Sequence, residues 1–106
     1  MNYADAQGLL TGRCTERRKV GNNTWLERRD NGAIALRLHA TDILTFKPSG
    51  EIVVDTNGYT TVTTKARINE HLPPPFYLYQ KQFVWYWNED DSEYSDGDIV
   101  ISNPLS

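Results

Sequence analysis

Turn-forming residues recur every eight to twelve positions along the chain, and apolar and polar side chains alternate between them. A period of two marks antiparallel strands with one buried face. Thr24-Trp25-Leu26-Glu27-Arg28 and Ala33-Ile34-Ala35-Leu36-Arg37-Leu38 flank Asp30-Asn31-Gly32, a type I′ hairpin signal because Asn and Gly tolerate positive φ. Ile34, Leu36 and Leu38 fall on one face, with Arg37 and His39 on the other. Asp42-Ile43-Leu44-Thr45-Phe46 follows, then the turn Lys47-Pro48-Ser49-Gly50, the strand Glu51-Ile52-Val53-Val54-Asp55 and a turn at Thr56-Asn57-Gly58. An earlier strand over Thr15–Val20, turning at Gly21-Asn22-Asn23, is expected at the edge of this meander.

The period then lengthens. Thr63 and Thr64 are acceptable helix N-caps, and Lys65-Ala66-Arg67-Ile68-Asn69-Glu70-His71-Leu72 follows with Ile68 and Leu72 one turn apart. Pro73-Pro74-Pro75 ends the helix, because the residue before a proline is pushed out of the α region. Phe76-Tyr77-Leu78-Tyr79 and Phe83-Val84-Trp85-Tyr86-Trp87 read as an aromatic hairpin turning near Lys81, with Phe83, Trp85 and Trp87 on one face. A last short strand is Ile99-Val100-Ile101, after Asp96-Gly97. The expected fold is a single α+β domain spanning 1–106: a twisted antiparallel meander of about six to eight strands with one main α-helix at about 63–72. Residues 1–13 form a short helix or arm, and 88–98 an acidic loop.

Composition narrows the class. At 106 residues, with 39% hydrophobic residues and twelve aromatics, the chain can fill one core and is not globally disordered. Apolar runs are too short to span a bilayer as helices, and Met1-Asn2-Tyr3-Ala4-Asp5 lacks the pattern of a signal peptide. Cys14 stands alone, which excludes an internal disulfide, and with two histidines a Cys/His zinc site is excluded as well. These features point to the cytoplasm, with no membrane partner, no metal and no cofactor.

The net charge of −3 is unevenly divided: residues 1–50 carry eight Lys/Arg against five Asp/Glu, residues 51–106 three against nine. Without a basic excess over the domain, nucleic acid is not the expected partner.

The strongest chemical pattern surrounds the helix start. An N-terminus offers unpaired N–H groups and the positive end of the helix dipole, so it favours anions. Thr60, Thr61, Thr63 and Thr64 add hydroxyls, Lys65 and Arg67 add cations, and Asn69 adds an amide. Tyr59 offers a ring for base stacking, worth ~1–3 kcal/mol per base. Together these residues form a candidate phosphate- or nucleotide-binding site. The same residues have a structural reading, with Thr63 or Thr64 as cap, Thr60 and Thr61 as strand residues, and both cations solvated. Neither a P-loop nor a dinucleotide fingerprint is present. Trp85 and Trp87, widened by Tyr77 and Tyr79, form either a base-stacking wall or core packing. Arg13, Arg17, Arg18, Lys19, Arg28 and Arg29 form either a phosphate-receiving surface or a solvated face balanced by Glu16, Glu27 and Asp30.

Catalytic patterns are thin. His39 with Asp42 could form an oriented general base, but the pair also reads as an exposed His beside a turn-capping Asp. Cys14 lacks the surroundings of an activated thiol, and Glu89-Asp90-Asp91 misses the EF-hand spacing. A non-enzymatic protein is expected.

The segments 21–29, 35–42 and 58–69, above all Thr61-Val62-Thr63-Thr64-Lys65-Ala66-Arg67-Ile68-Asn69, resemble a family of small bacteriophage proteins of unknown function, with the likeness running over about 18–88. That resemblance implies a viral accessory protein acting in bacterial cytoplasm and transfers no site residue. Three readings follow. The chain captures a small phosphorylated ligand, such as a nucleotide signal of host antiviral defence, in a pocket completed by a homo-oligomer. Alternatively, it docks on a host protein through its aromatic or acidic surface. Third, it is a nuclease-like or phosphodiesterase-like enzyme using His39.

Overall fold

A computed structural model describes residues 1–12 and 15–101. It contains α1 (Tyr3–Leu9), β1 (Arg17–Gly21), β2 (Thr24–Arg28), β3 (Ile34–Leu38), β4 (Thr41–Phe46), β5 (Glu51–Val54), α2 (Val62–His71), β6 (Leu78–Lys81), β7 (Val84–Trp87) and β8 (Asp98–Ile101). The expected α+β architecture is present. Six antiparallel strands form one sheet in the order β1-β2-β3-β4-β5-β8, and β6 and β7 form a separate hairpin. Arg13 and Cys14, singled out above, lie outside the described residues.

Alternation decides what the sheet buries. Leu26, Ile34, Leu36, Leu38, Leu44, Phe46, Ile52, Val54 and Val100 project to one side and are buried. The same core takes in Ala6 and Leu10 from the α1 segment, Ile68 and Leu72 from the α2 segment, and Leu78, Trp85, Trp87 and Tyr94. The other face is charged towards β1 and aliphatic towards β8. Its rows follow the register Arg17↔Glu27↔Ala35↔Thr45↔Val53↔Ile99.

Four local expectations are corrected. The turn at Asp30-Asn31-Gly32 is not type I′: among its residues only Gly32 has positive φ (86°). Arg29 N–H donates to Ala33 O at 2.9 Å, and Gly32 N–H donates to Arg29 O at 3.0 Å, so the loop holds three residues with glycine in the bulge position. The α2 cap is Thr61 rather than Thr63 or Thr64; its Oγ1 accepts from Thr64 N–H at 3.1 Å. Phe83 is not on the strand face with Trp85 and Trp87. It sits in the β6–β7 turn with φ 68°, next to Gln82 at 51°, and is 95% exposed. Finally, His39 turns the chain between β3 and β4 in the left-handed region (φ 55°), so it does not continue the Arg37 face.

The β3–β4 register shifts between Leu36↔Leu44 and Arg37↔Asp42, leaving Ile43 as an extra residue. A bulge re-aims side chains. Here it turns both Ile43 and Leu44 into the buried interior and leaves Asp42 on the outer face.

Candidate functional site

The segment between β5 and α2 is built by two turns. Tyr59 N–H donates to Thr56 O at 2.9 Å, and the residues between them, Asn57 and Gly58, both have positive φ (51° and 84°). Both residue types tolerate that region, which explains the Asn-Gly pair. Asp96 fixes this turn from 40 residues away: its carboxylate accepts from Thr56 N–H (2.9 Å), Thr56 Oγ1 (2.8 Å) and Gly58 N–H (3.1 Å). It also accepts from Tyr94 Oη at 2.6 Å. Burial pushes this carboxyl up, but the bonds from Tyr94, Thr56 and Gly58 outweigh it and hold Asp96 below the usual carboxylate range. Tyr94 is pushed up, first by burial and then by its bond to Asp96.

Beyond the turn, Thr61 caps α2. Its Oγ1 lies 3.0 Å from Thr64 Oγ1, and Lys65 N–H donates to Thr61 O at 3.0 Å. Of the first helical N–H groups, those of Val62 and Thr63 have no partner among the described residues. The helix start borders a cavity of about 510 Å³, within the size range of small-molecule sites. Leu38, Ile43 and Ala40 give it an apolar lining, and Tyr59, Thr61, Thr63 and His39 supply its polar groups. Tyr59 is 61% exposed.

The structure divides the residues proposed from sequence into two groups. Tyr59, Thr61, Thr63 and Thr64 line this cavity; the exposed Thr60 is not among its lining residues. Lys65, Arg67 and Asn69 do not line it and instead hold the fold together. Lys65 Nζ donates to Gln80 Oε1 at 3.2 Å. Arg67 Nε donates to Thr24 Oγ1 at 3.2 Å, and its Nη1 pairs with Glu70 at 3.1 Å. Asn69 brackets one backbone position of β6, donating to Leu78 O at 2.9 Å and accepting from Leu78 N–H at 2.7 Å. Trp85 and Trp87 are 6% and 7% exposed and pack on Tyr94 at centroid distances of 5.7 and 6.0 Å. These two rings fill the core and present no stacking wall.

The remaining candidates are also engaged. Asp42 is held by Arg29 through two bonds, at 3.0 and 2.5 Å, and is not bonded to His39. Arg29 and Arg37 both reach Glu27 at 2.8 Å, forming a charge network on the outer sheet face. The bonds that Arg29 donates to Asp42 raise its pKa against the cost of burial. Arg17 stacks over Trp25 at 5.1 Å, while Arg18 and Arg28 donate to the carbonyls of Leu9, Leu10 and Thr15. In the acidic loop, Ser92 holds Asp90 through its hydroxyl and N–H, lowering its pKa, and Tyr79 Oη donates to Asp91 at 2.5 Å.

Several lining residues were not flagged by sequence reasoning: Leu38, Ala40, Thr41, Ile43 and Thr56. His39 was flagged for catalysis rather than for this cavity. The bulge at Ile43 and the Asp96 anchor bring them together, and neither leaves a local sequence signal. Among the described residues, no group of three or more His, Cys, Asp and Glu is arranged to hold a metal ion, and no helix is long and apolar enough to cross a membrane.

No curated protein and no solved structure matches the chain. A family model described as Kyanoviridae Gp96 protein matches residues 7–101, nearly the whole described chain. The chain therefore belongs to the Kyanoviridae Gp96 family, a family of bacteriophage proteins.

Proposed function

We propose that this phage protein captures a small phosphorylated ligand of the nucleotide class without transforming it, acting in the cytoplasm of the infected bacterium to sequester a nucleotide signal of host defence. The observation that carries this reading is the cavity at the start of α2, where the exposed Tyr59, Thr61, Thr63 with its unpaired N–H, and His39 border an apolar floor. A phosphate lies at the helix N-terminus in this arrangement, and a base lies against Tyr59. Lys65 and Arg67 are not ligand contacts in it. The charge partner is the helix dipole, and His39 offers a ring nitrogen for hydrogen bonding, which favours a ligand of low net charge over a triphosphate.

Thermal-shift measurements against mono-, di- and cyclic nucleotides test the reading, because a ligand that prefers the folded state raises Tm by mass action. A rise with one class, lost in Tyr59→Ala and in Thr63→Val, supports it. No rise at millimolar concentration overturns it. Recovery of the ligand chemically unchanged from a denatured complex separates capture from catalysis.

A second reading is favoured by Phe83 and Tyr77, 95% and 51% exposed on the β6–β7 segment. Exposed aromatics are common anchors in protein interfaces, and a host protein is the occupant in this reading. Capture of a defined host protein by the wild-type chain and not by Phe83→Ala would favour it.

A further inference from the structure

The backbone hydrogen bonds fix which way each edge strand of the large sheet faces. Lys47 N–H donates to Glu51 O and Asp55 N–H donates to Ile43 O, so Glu51, Val53 and Asp55 point their backbone groups at β4. Ile52 and Val54 therefore point at β8, where Val54 O accepts from Gly97 N–H at 2.7 Å. Val100, the register partner of Ile52, carries that ladder together with Gly97, while Asp98 N–H donates to Ser95 O at 3.0 Å, leaving the N–H and C=O groups of Ile99 and Ile101 directed outward. The same reasoning applies at the opposite edge. Arg28 N–H donates to Glu16 O at 2.9 Å, so Glu16 and Arg18 face β2, and Arg17 and Lys19 face outward. Among the described residues, no strand pairs with either edge.

The side chains at these outward positions all lie on the outer face of the sheet. Ile99 and Ile101 are 51% and 60% exposed, and Arg17 and Lys19 are exposed as well. The strand order also fixes direction: across six antiparallel strands β1 and β8 run oppositely, so a copy displaced along the sheet presents its β1 antiparallel to β8 with the outer face kept outward.

We propose that β8 of one copy pairs with β1 of a second copy, continuing the sheet head to tail. In the matching register Ile99 lies opposite Lys19 of the second copy and Ile101 opposite Arg17 of the second copy. All four backbones then face their partners with donors and acceptors aligned. Charge selects this pairing over the symmetric ones. β8 against β8 brings together Asp98 and the adjacent Glu51 of two copies, whereas β1 against β1 sets Arg17, Arg18 and Lys19 against themselves. β8 against β1 places opposite charges together. The aliphatic stem of Lys19 covers the isoleucines, while Arg17, stacked over Trp25 of its own copy, adds its charge to the same outer face. Such a contact is heterologous, so it builds a ring or a filament rather than closing at two copies.

The test is a charge exchange in the full-length chain, read by sedimentation velocity, with circular dichroism and Tm as folding controls. The wild-type weight-average mass rises with concentration and falls back towards the monomer as salt is raised. Arg17→Glu/Lys19→Glu alone stays monomeric, as does Ile99→Lys/Ile101→Lys alone. An equimolar mixture of the two associates, and all four substitutions in one chain restore self-association. A wild type that is monomeric at every concentration overturns the proposal. So does self-association of Arg17→Glu/Lys19→Glu alone, which marks β8 pairing with β8, or of Ile99→Lys/Ile101→Lys alone, which marks β1 pairing with β1.

Discussion

Replacing Asp96 with alanine tests how the cavity is held in place. The carboxylate accepts from both Thr56 donors, from Gly58 N–H and from Tyr94 Oη. On its removal, Tyr94 keeps the carbonyl of Val54 at 3.1 Å and the exposed Gly58 N–H finds water. Thr56 is fully buried, so its N–H and hydroxyl are left without partners. A stranded buried donor costs about 1–3 kcal/mol. Because Asp96 is itself exposed, the low end applies to each donor, giving a loss of about 2 kcal/mol. For a domain of this size that corresponds to a Tm drop on the order of 10 °C. Urea unfolding followed by tryptophan emission is the assay, since Trp85 and Trp87 pack on Tyr94 and report on this region. The midpoint falls while the m-value stays unchanged. A loss under about 0.5 kcal/mol, the scale of an ordinary surface substitution, refutes the assignment. The pH dependence gives an independent check. A carboxyl whose folded pKa is depressed contributes fully above its unfolded value and loses that contribution as pH falls through the folded one. The gap between wild type and Asp96→Ala therefore holds from neutral pH down to the ordinary carboxylate range, near 3.8, and narrows only in stronger acid. A gap that closes between pH 7 and 6 means another group is responsible.

Three further outcomes follow from the placements above. Asn69→Ala unpairs both backbone groups of the buried Leu78 and lowers stability by about 2 kcal/mol in the same urea assay, without changing ligand affinity at the cavity. Arg67→Ala removes the ties to Thr24 and Glu70 and lowers stability by about 1 kcal/mol; weakened nucleotide binding with unchanged stability would return Arg67 to the site. Tyr79, bonded to Asp91, ionises at about pH 12, and in Asp91→Asn a spectrophotometric titration finds this phenol returned towards the ordinary range.

What the sequence disclosed is what short-range chemistry determines. Alternation located the strands because each buries every second residue, and the helix over 62–71 declared itself through Ile68, Leu72 and the prolines after it. Side-chain destinations were less legible. Thr63, Lys65 and Arg67 look equivalent along the chain, yet only the first borders the cavity, because Gln80, Thr24 and Glu70 claim the other two. Arg67 and Thr24 are 43 residues apart, and Thr56 and Asp96 are 40 apart, so only the folded sheet brings either pair together. The tryptophans stayed open between core and stacking wall for a related reason. A strand alternates whichever face is buried, and the packing of Tyr94 decides that Trp85 and Trp87 point inward.

The turn joining β6 to β7 is made of two bulky residues, Gln82 and Phe83, in a backbone region that asparagine and glycine occupy with far less strain. A sequence shaped by sturdiness alone has little reason to keep them there, least of all with an aromatic ring almost wholly in water. The double exchange Gln82→Asn/Phe83→Gly should make the molecule harder to unfold, and whichever ability the phage then lacks is the one that ring was retained to provide.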